Sequence, residues 1–294
     1  MLTLSADRYT ARIAPEAGGM IAALDWRCPE GRPQPLLHAP AGLVPQTATP
    51  NKFGAWAMLP FANRAFGSLV DDGHTRFGVP PNDPSGTIHG FGWQSAWQVE
   101  KHDAGDAVLV HRRAAGPDPY RYLARQEIRL DERGMTVVLT LINESDRALP
   151  FGMGLHPWFP CAADTRLAMI AAGALIFGDK FRATGTQALA GGGPYAGKPV
   201  FATGAETAWS FLGWDGAARI ETPSAGLAIT VSASESLRCP VVWAPAGADF
   251  LCVEPQSHAA GAPSERIVRE ASPLARLRPR EALEGWARIA AEAI

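Results

Sequence analysis

Short stretches that alternate apolar and polar residues recur along the chain, separated by glycine and proline. In GMTVVLTLIN, residues 134–143, Val137, Leu139 and Leu141 fall on one face, and LAITVSAS, residues 227–234, alternates in the same way. GGMIAALDW, WQVEKHDAGDAVLVHRR and YLARQEIRL read similarly. A period of two bounded by turn residues is typical of half-buried antiparallel strands. Many such strands in succession predict an all-β fold, either a sandwich or a barrel.

Long amphipathic helices are missing from this pattern. The C-terminal segment PREALEGWARIAAEAI, residues 279–294, is rich in alanine and glutamate, and its propensity alone favours a helix. The chain has 294 residues, and large all-β folds use this length for one domain. Because no linker or internal repeat interrupts the pattern, we predict a single domain over residues 1–294.

The composition of the chain argues against nucleic-acid binding and membrane binding. The chain is 47% hydrophobic and 19% charged, with a formal net charge of −2, and no basic run exceeds Arg112-Arg113. Such a balance gives no electrostatic attraction to nucleic acid or to an anionic membrane. No stretch reaches the roughly 18 apolar residues of a membrane-spanning helix, and the N-terminus lacks a signal-peptide pattern. We therefore expect a cytoplasmic protein that binds neither nucleic acid nor membranes.

The four cysteines lie far apart without a C-x-x-C pair, which fits neither a zinc site nor a disulfide framework. Candidate chemistry lies elsewhere, in four segments that place polar side chains among apolar residues. These segments are MLPFANRAFGS with Asn63 and Arg64, TIHGFGWQSAW with His89, FGMGLHPWFP with His156, and DFLCVEPQSHAAGA with Glu254.

Each of these side chains also has an ordinary structural interpretation. A carboxylate that ends a buried strand, as Glu254 does, loses hydration and becomes a better base near neutral pH, but a solvated or arginine-paired glutamate is commoner. His156 and His89 would equally suit loops in which the imidazole bonds to backbone, and Arg64 would suit a salt bridge. His258, four residues after Glu254, could bind substrate or cap a turn, and we interpret it as structural.

Taken together, an acid, a base and a polar clamp beside aromatic residues are typical of a site for a small polar ligand. Aromatic rings suit sugars in particular, because the C–H faces of a sugar pack flat on them. The tryptophans available for this role are Trp56, Trp93, Trp158 and Trp243.

The ordered series Asn63-Arg64, His89-Gly90, His156-Pro157-Trp158-Phe159 and Glu254-Pro255 resembles the aldose 1-epimerase (galactose mutarotase) family, especially its broad bacterial group. The resemblance runs from about residue 10 to the C-terminus. It implies one large antiparallel β-sandwich, the galactose mutarotase-like supersandwich, with few short helices. It also implies that the C-terminal segment is the family's closing strand, and since tertiary context overrides weak propensity, we predict a strand there.

The resemblance also implies residue roles. Glu254 matches the family's catalytic base and His156 its catalytic acid, while Arg64 and His89 match sugar-binding positions, with Asn63 and Trp158 beside them. The implied reaction interconverts the α and β anomers of a free aldose by opening and closing the ring. A base near His156 is expected to help keep it protonated. The implied ligand is a small-molecule sugar, with no cofactor or metal, in a monomer or homodimer.

One family feature is missing. Members often carry a sugar-binding Asp between the acid and the base, and aligning GAETAWSFLGWDGAARI, residues 204–220, places Ala208 or Trp209 there. Glu206 and Asp215 are the nearest carboxylates, and Asp215 is included among the candidate substrate-binding residues. This difference bears on which sugar is bound more than on the reaction, because hydroxyl contacts set sugar selectivity.

Three other functions stay open. A non-catalytic sugar-binding or regulatory protein on the same scaffold would not need both His156 and Glu254. A sugar-phosphate epimerase would need an added cationic clamp, for which the sequence offers no clear candidate. A carbohydrate-cleaving enzyme would need two carboxylates flanking the bond, and Glu254 is the one convincing candidate.

Overall fold

Antiparallel strands dominate the computed structural model, which describes residues 1–39, 52–196 and 206–294. In chain order the strands are β1 (Leu2–Ala6), β2 (Tyr9–Ala14), β3 (Met20–Arg27), β4 (Pro33–Pro35), β5 (Ala57–Met58), β6 (Arg64–Phe66), β7 (Leu69–Asp71), β8 (Arg76–Gly78), β9 (Gly86–Ile88), β10 (Gln98–His102), β11 (Asp106–Arg113), β12 (Tyr122–Asp131), β13 (Gly134–Asn143), β14 (Leu149–Phe151), β15 (Gly154–Leu155), β16 (Trp158–Pro160), β17 (Arg166–Phe177), β18 (Ala183–Ala188), β19 (Thr207–Thr222), β20 (Leu227–Ala233), β21 (Val241–Ala244), β22 (Phe250–Glu254), β23 (Ala275–Leu277) and β24 (Ala282–Ala293).

Helices are short. The α-helix of the described residues is α1 (Arg266–Ala271), and the 3-10 turns are Gly92–Gln94, Asp179–Phe181, Ala190–Gly192, Pro223–Ala225 and Glu235–Leu237. Within the described part of the chain, none of these helices has the length and apolarity needed to cross a membrane.

The largest sheet runs in the order β10-β11-β12-β13-β24-β20-β19-β21-β22-β16, and β17 pairs with both β18 and β19. A second sheet contains β1 to β4. All of these named strand pairs are antiparallel. The all-β antiparallel fold with few short helices is therefore confirmed. The alternation along β13 is also confirmed, because Val137, Leu139 and Leu141 are buried while Val138 and Thr140 are partly exposed.

The C-terminal segment is a strand, as predicted against its helix propensity. β24 lies between β13 and β20, with Ala287 opposite Val137 and Ile289 opposite Val231. Ala287 and Ile289 are buried on one face while Trp286 points outward. Two neighbouring strands supply backbone hydrogen bonds on both sides of β24, and this outweighs the small helix preference of alanine and glutamate.

Two groups of buried residues matter for the site. The main apolar core extends from Leu4 to Ile289. A smaller cluster, which includes Met20, Trp56 and Trp93, packs separately. Its Trp56 and Trp93 rings are 5.8 Å apart. This smaller cluster fixes the Trp56 indole, which also contacts the site described below.

Candidate active site

A cavity of about 290 Å³ brings most of the predicted residues together. Its walls include six of the seven candidates, namely Asn63, Arg64, His89, His156, Trp158 and Glu254. Of the four tryptophans considered for sugar stacking, Trp56, Trp158 and Trp243 line the cavity and Trp93 does not. The four short sequence motifs therefore meet at one cavity of the folded protein.

The Asn-Arg and His-Gly motifs are locked to each other by paired strands. β6 and β9 place Arg64 opposite Ile88. The backbone N–H of His89 donates to the Asn63 carbonyl (2.8 Å), and the backbone N–H of Asn63 donates to His89 Nδ1 (3.1 Å). Because Nδ1 accepts this bond, neutral His89 carries its proton on Nε2. That tautomer gives the cavity a hydrogen-bond donor.

Gly90 follows His89 in a position that only glycine fits. Its φ is +62°, and a Cβ there would lie 2.0 Å from the carbonyl oxygen of Leu59. We expect Gly90→Ala to destabilise the protein by more than the roughly 1 kcal/mol of a left-handed backbone alone, because a backbone oxygen must also move. Gly67→Ala is the matched control, since Gly67 has φ +63° with open space around it. Urea unfolding of both variants measures the difference, and equal losses would contradict the steric argument.

His156 lies between β15 and β16, and two indole rings stack on its imidazole. Its backbone N–H donates to the Trp56 carbonyl (2.9 Å). The Trp56 ring stacks on it at 4.4 Å and 26°, and the Trp158 ring at 5.7 Å and 21°. The His89 ring meets it edge-on at 5.1 Å. These contacts fix the imidazole plane, and the His156 side chain is only 5% exposed.

Glu254 is the last residue of β22 and faces His156 directly. Its Oε1 lies 3.4 Å from His156 Nε2, and its Oε2 accepts a hydrogen bond from Gln256 Nε2 (2.9 Å). The pairing of β16 with β22, which sets Trp158 opposite Cys252, holds the two chain segments together. Gln256 was missed by the sequence analysis, although its place two residues after Glu254 is the spacing that strands use for one face.

Burial controls the protonation of this pair. Desolvation raises the pKa of Glu254 to about 8, opposed by the Gln256 hydrogen bond and the charge of Arg64. Desolvation also lowers the pKa of His156 to about 3 and that of His89 well below its usual value. Both shifts run against the expectation that a nearby base keeps His156 protonated. They favour a neutral imidazole on His156 beside a protonated carboxyl on Glu254.

Buried polar atoms without partners concentrate here. Five such side-chain atoms occur among the described residues, and four belong to Trp56, His156, Trp158 and Gln256. The fifth belongs to Gln126. Unpaired buried polar groups cost stability, so their clustering marks a place built for something other than stability.

His258 has a structural role, as it was interpreted from the sequence. Its Nε2 accepts the backbone N–H of Ala62 (3.1 Å), and its Nδ1 donates to the Ala259 carbonyl (3.1 Å). Burial lowers the pKa of His258 to about 4, so it stays neutral. Its ring supports the chain just before Asn63 rather than lining the cavity.

The structure corrects the candidate carboxylate. Asp215 is exposed, accepts a hydrogen bond from the backbone N–H of Ala217 (3.1 Å), and is not a wall residue of the cavity. Glu206 lines the cavity, together with Ala208 and Trp209, the two positions aligned with the missing Asp. Of the two carboxylates that the sequence analysis weighed for this role, Glu206 and not Asp215 lines the cavity.

Further wall residues had no local sequence signal. The rim includes the charged side chains of Lys52 and Asp83 and the rings of Phe177 and Phe181. The Arg64 guanidinium lies 5.5 Å from the centre of the Phe181 ring. These residues come from distant parts of the chain, so only the folded protein reveals them as neighbours.

One grouping among the described residues has the composition of a metal site. Donor atoms of His156, Cys252 and Glu254 all lie within 4.8 Å of one another. Burial raises the pKa of the Cys252 thiol well above its usual value. Because metals bind the thiolate, a thiol held in its protonated form is a weak third donor.

The structure has the features that the resemblance to aldose 1-epimerases implied. Its fold is strand-rich and antiparallel, and an imidazole and a carboxyl face each other in an aromatic cavity. The family model for aldose 1-epimerase matches residues 1–286, and the chain belongs to this family. It is 30% identical over 211 residues to the uncharacterized Escherichia coli K12 protein YphB, covering 69% of this chain and 72% of YphB.

Solved structures agree with the fold. A crystal structure of a candidate aldose 1-epimerase from Escherichia coli K12 superposes with a TM-score of 0.86 at 26% identity, covering 100% of this chain and 99% of that one. A galactose mutarotase-like protein from Clostridium acetobutylicum superposes with a TM-score of 0.83 at 19% identity, covering 99% and 95%. The latter likeness concerns the fold alone.

Proposed function

We propose that this protein is an aldose 1-epimerase that interconverts the α and β anomers of a free aldose. The observation that carries the proposal is the 3.4 Å approach of His156 Nε2 to Glu254 Oε1 in the aromatic cavity. Ring opening of a cyclic sugar needs a base at the C1 hydroxyl and an acid at the ring oxygen. Two proton-carrying groups in contact meet that need without a redox step.

The reaction needs a pair of groups that holds one proton, and the raised pKa of Glu254 with the lowered pKa of His156 favours that proton on Glu254. Transfer of that proton from Glu254 to His156 creates a carboxylate, which the charge of Arg64 favours. Glu254 then takes the proton of the C1 hydroxyl, His156 protonates the ring oxygen, and the bond between C1 and that oxygen breaks. Rotation about C1–C2 and closure on the other face of the aldehyde return both protons.

Several wall residues suit a sugar. The indoles of Trp158 and Trp243 offer apolar surface to C–H faces. Arg64 and the Nε2–H of His89 are donors for hydroxyl oxygens, and Asn63 lies beside them. Fixed donors of this kind select a sugar by the hydroxyls it places opposite them.

Charges at the cavity favour a free sugar over a sugar phosphate. Lys52 and Arg64 are accompanied by Asp83 and Glu206, so the described walls present no excess of positive charge apart from the catalytic pair. A phosphate would meet carboxylates as well as cations, which lowers the gain from binding it. The retention of both His156 and Glu254 favours catalysis over sugar binding alone.

Polarimetry tests the proposal. Freshly dissolved α-glucose and α-galactose, and separately glucose 6-phosphate, are followed with and without protein at pH 7. We expect faster equilibration for at least one free aldose. Acceleration confined to the phosphate would favour a sugar-phosphate epimerase. Saturable sugar binding without any acceleration would favour the non-catalytic alternative.

A further inference from the structure

Gln256 is fully buried beside Glu254 and is not a wall residue of the cavity. Its Nε2 donates to Glu254 Oε2 (2.9 Å), whereas Glu254 Oε1 lies 3.4 Å from His156 Nε2. The two oxygens of the carboxyl therefore have different partners, an amide donor on one side and an imidazole nitrogen on the other. Because Gln256 does not line the cavity, any part that it has in a reaction is exerted through Glu254.

These partners decide which oxygen of a protonated Glu254 carries the proton. A neutral carboxyl has one carbonyl oxygen and one hydroxyl oxygen, and the carbonyl oxygen is the better acceptor. The amide donor at Oε2 therefore favours the proton on Oε1. Since Oε1 is the oxygen that approaches His156 Nε2, the proton is held at the atom from which it can pass to the imidazole.

The chain segment that leads to His156 also holds Gln256 in place. The backbone N–H of Leu155 donates to the Pro255 carbonyl (3.1 Å). Gly154 leaves room for the Gln256 side chain, because a Cβ there would lie 3.1 Å from Gln256 Cγ and 2.8 Å from the Pro255 oxygen. The amide of Gln256 therefore has a fixed position against the carboxyl of Glu254.

The buried amide is unfavourable for stability in one respect. Gln256 Oε1 has no hydrogen-bond partner among the described residues. A methionine of similar length would leave no such acceptor unsatisfied, and unsatisfied buried acceptors destabilise the folded state. The hydrogen bond to Glu254 therefore explains the glutamine better than stability does.

We propose that Gln256 is a positioning residue, which reserves Oε1 of Glu254 for proton exchange with His156 and with the substrate. The inference rests on the proposed function, since this exchange is a step of ring opening. In that step the proton leaves Oε1 for His156 Nε2, and Oε1 keeps the electron pair with which it then takes the proton of the C1 hydroxyl. The Gln256 N–H stays on Oε2 and stabilises the carboxylate that the step creates.

The surroundings of Glu254 contain several other ionisable groups. Those that share the cavity wall with it are Lys52, Arg64, Asp83, His89, His156 and Glu206, and the Cys252 thiol lies on the same strand. Replacing Gln256 with methionine alters none of these groups. A changed pH profile in that variant therefore reports the lost hydrogen bond to Glu254.

Gln256→Met removes the amide and keeps the approximate length of the side chain. We expect kcat/KM for an aldose that the wild-type protein turns over to fall about 10-fold through kcat, and the alkaline limb of its pH profile to move up by about one pH unit. Both changes have one cause, because a carboxyl without its amide donor holds its proton more tightly and passes it to His156 less often. Polarimetry from pH 5 to pH 9.5, with the uncatalysed rate subtracted, measures both.

Gln126→Met is the matched control. Gln126 is also fully buried, its Nε2 donates to the Gly19 carbonyl (2.9 Å), and its Oε1 likewise has no partner among the described residues. This variant should keep the wild-type kcat and pH profile. Three results would overturn the inference: unchanged kcat in Gln256→Met, equal losses in both variants, or a loss in Gln256→Met without a shift of the alkaline limb.

Carbon-13 NMR titration of the Glu254 side-chain carboxyl, assigned by its loss in Glu254→Gln, gives a measurement that does not depend on turnover. A midpoint about one pH unit higher in Gln256→Met supports the inference, and an unchanged midpoint contradicts it. Gln256→Asn, whose amide is one methylene too short, is the second variant, and the same upward shift is expected. If the wild-type protein turns over no aldose, the proposed function fails, and this titration still decides whether Gln256 controls the Glu254 carboxyl.

Discussion

Glu254→Gln and His156→Asn are each expected to lower the protein-catalysed rate of aldose mutarotation by roughly 10²-fold or more, the scale of general acid–base groups. Gln keeps the size of Glu254 and its hydrogen bonding to Gln256 but cannot accept the C1 proton. Asn keeps polar atoms near the place of the imidazole but cannot protonate the ring oxygen. Polarimetry on a sugar that the wild-type protein turns over, with the uncatalysed rate subtracted, measures both losses.

The pair is also expected to act as a unit. The double variant should lose little more than the worse single variant, because one proton relay is broken in each case. His111→Asn is the control for removing a buried imidazole, since His111 is 9% exposed and lies outside the cavity wall. Wild-type rates in both single variants would end the assignment of the site. Additive losses would show that His156 and Glu254 act separately.

Glu254→Gln is expected to stabilise the folded protein, and the gain should grow with pH. The pKa of Glu254 is about 8 in the folded protein against about 4.3 in an unfolded chain. Between these values the folded state binds a proton that the unfolded state has released, so the wild-type free energy of unfolding falls as pH rises. The advantage of the variant should therefore increase by a few kcal/mol from pH 5 to pH 8 and level off above pH 8.

Urea unfolding at pH 5, 6.5, 8 and 9 measures this difference. Buried histidines act in the opposite direction, because the lowered pKa of His258 and His89 costs stability as pH falls below about 6.5. Their contribution is common to both proteins and cancels in the difference. Glu235→Gln, at an exposed glutamate, should show no such trend. A difference that does not change with pH would mean that Glu254 and His156 form a carboxylate and an imidazolium in the folded protein.

The expected gain in stability and the expected loss of activity of Glu254→Gln have the same physical cause. The buried carboxyl of Glu254 and the unpaired polar atoms of Trp56, His156 and Trp158 are unfavourable for folding. They are retained in a cavity where a sugar hydroxyl would replace the missing hydration. An active site that is less stable than its surroundings is the usual trade-off between stability and activity.

The local alternation of apolar and polar residues was sufficient to predict that the chain is rich in strands. The alternation in β13 and β20 appears directly in the burial of their side chains, because a strand exposes and buries successive residues. The order of the four motifs was also sufficient to nominate six residues that meet in one cavity. The identity of β24 needed more than propensity, since its alanines and glutamates favour a helix until two neighbouring strands compete for their backbone.

Protonation, by contrast, could not be predicted from residue types. The sequence suggested an imidazolium beside a carboxylate, whereas removal of both groups from water raises the pKa of Glu254 and lowers that of His156, which favours the opposite arrangement. Likewise, only the folded structure shows that Glu206, and not Asp215, lines the cavity.

The sequence by itself determined the all-β class, the family resemblance and the pair of proton-carrying side chains, because these depend on periodicity and on motifs a few residues long. Only the tertiary structure decided the direction of the pKa shifts in that pair, the presence of Glu206 in the cavity wall and the aromatic turn of Phe177 and Phe181 in the same wall. These features depend on desolvation and on contacts between residues far apart in the chain, and neither leaves a mark on the local sequence.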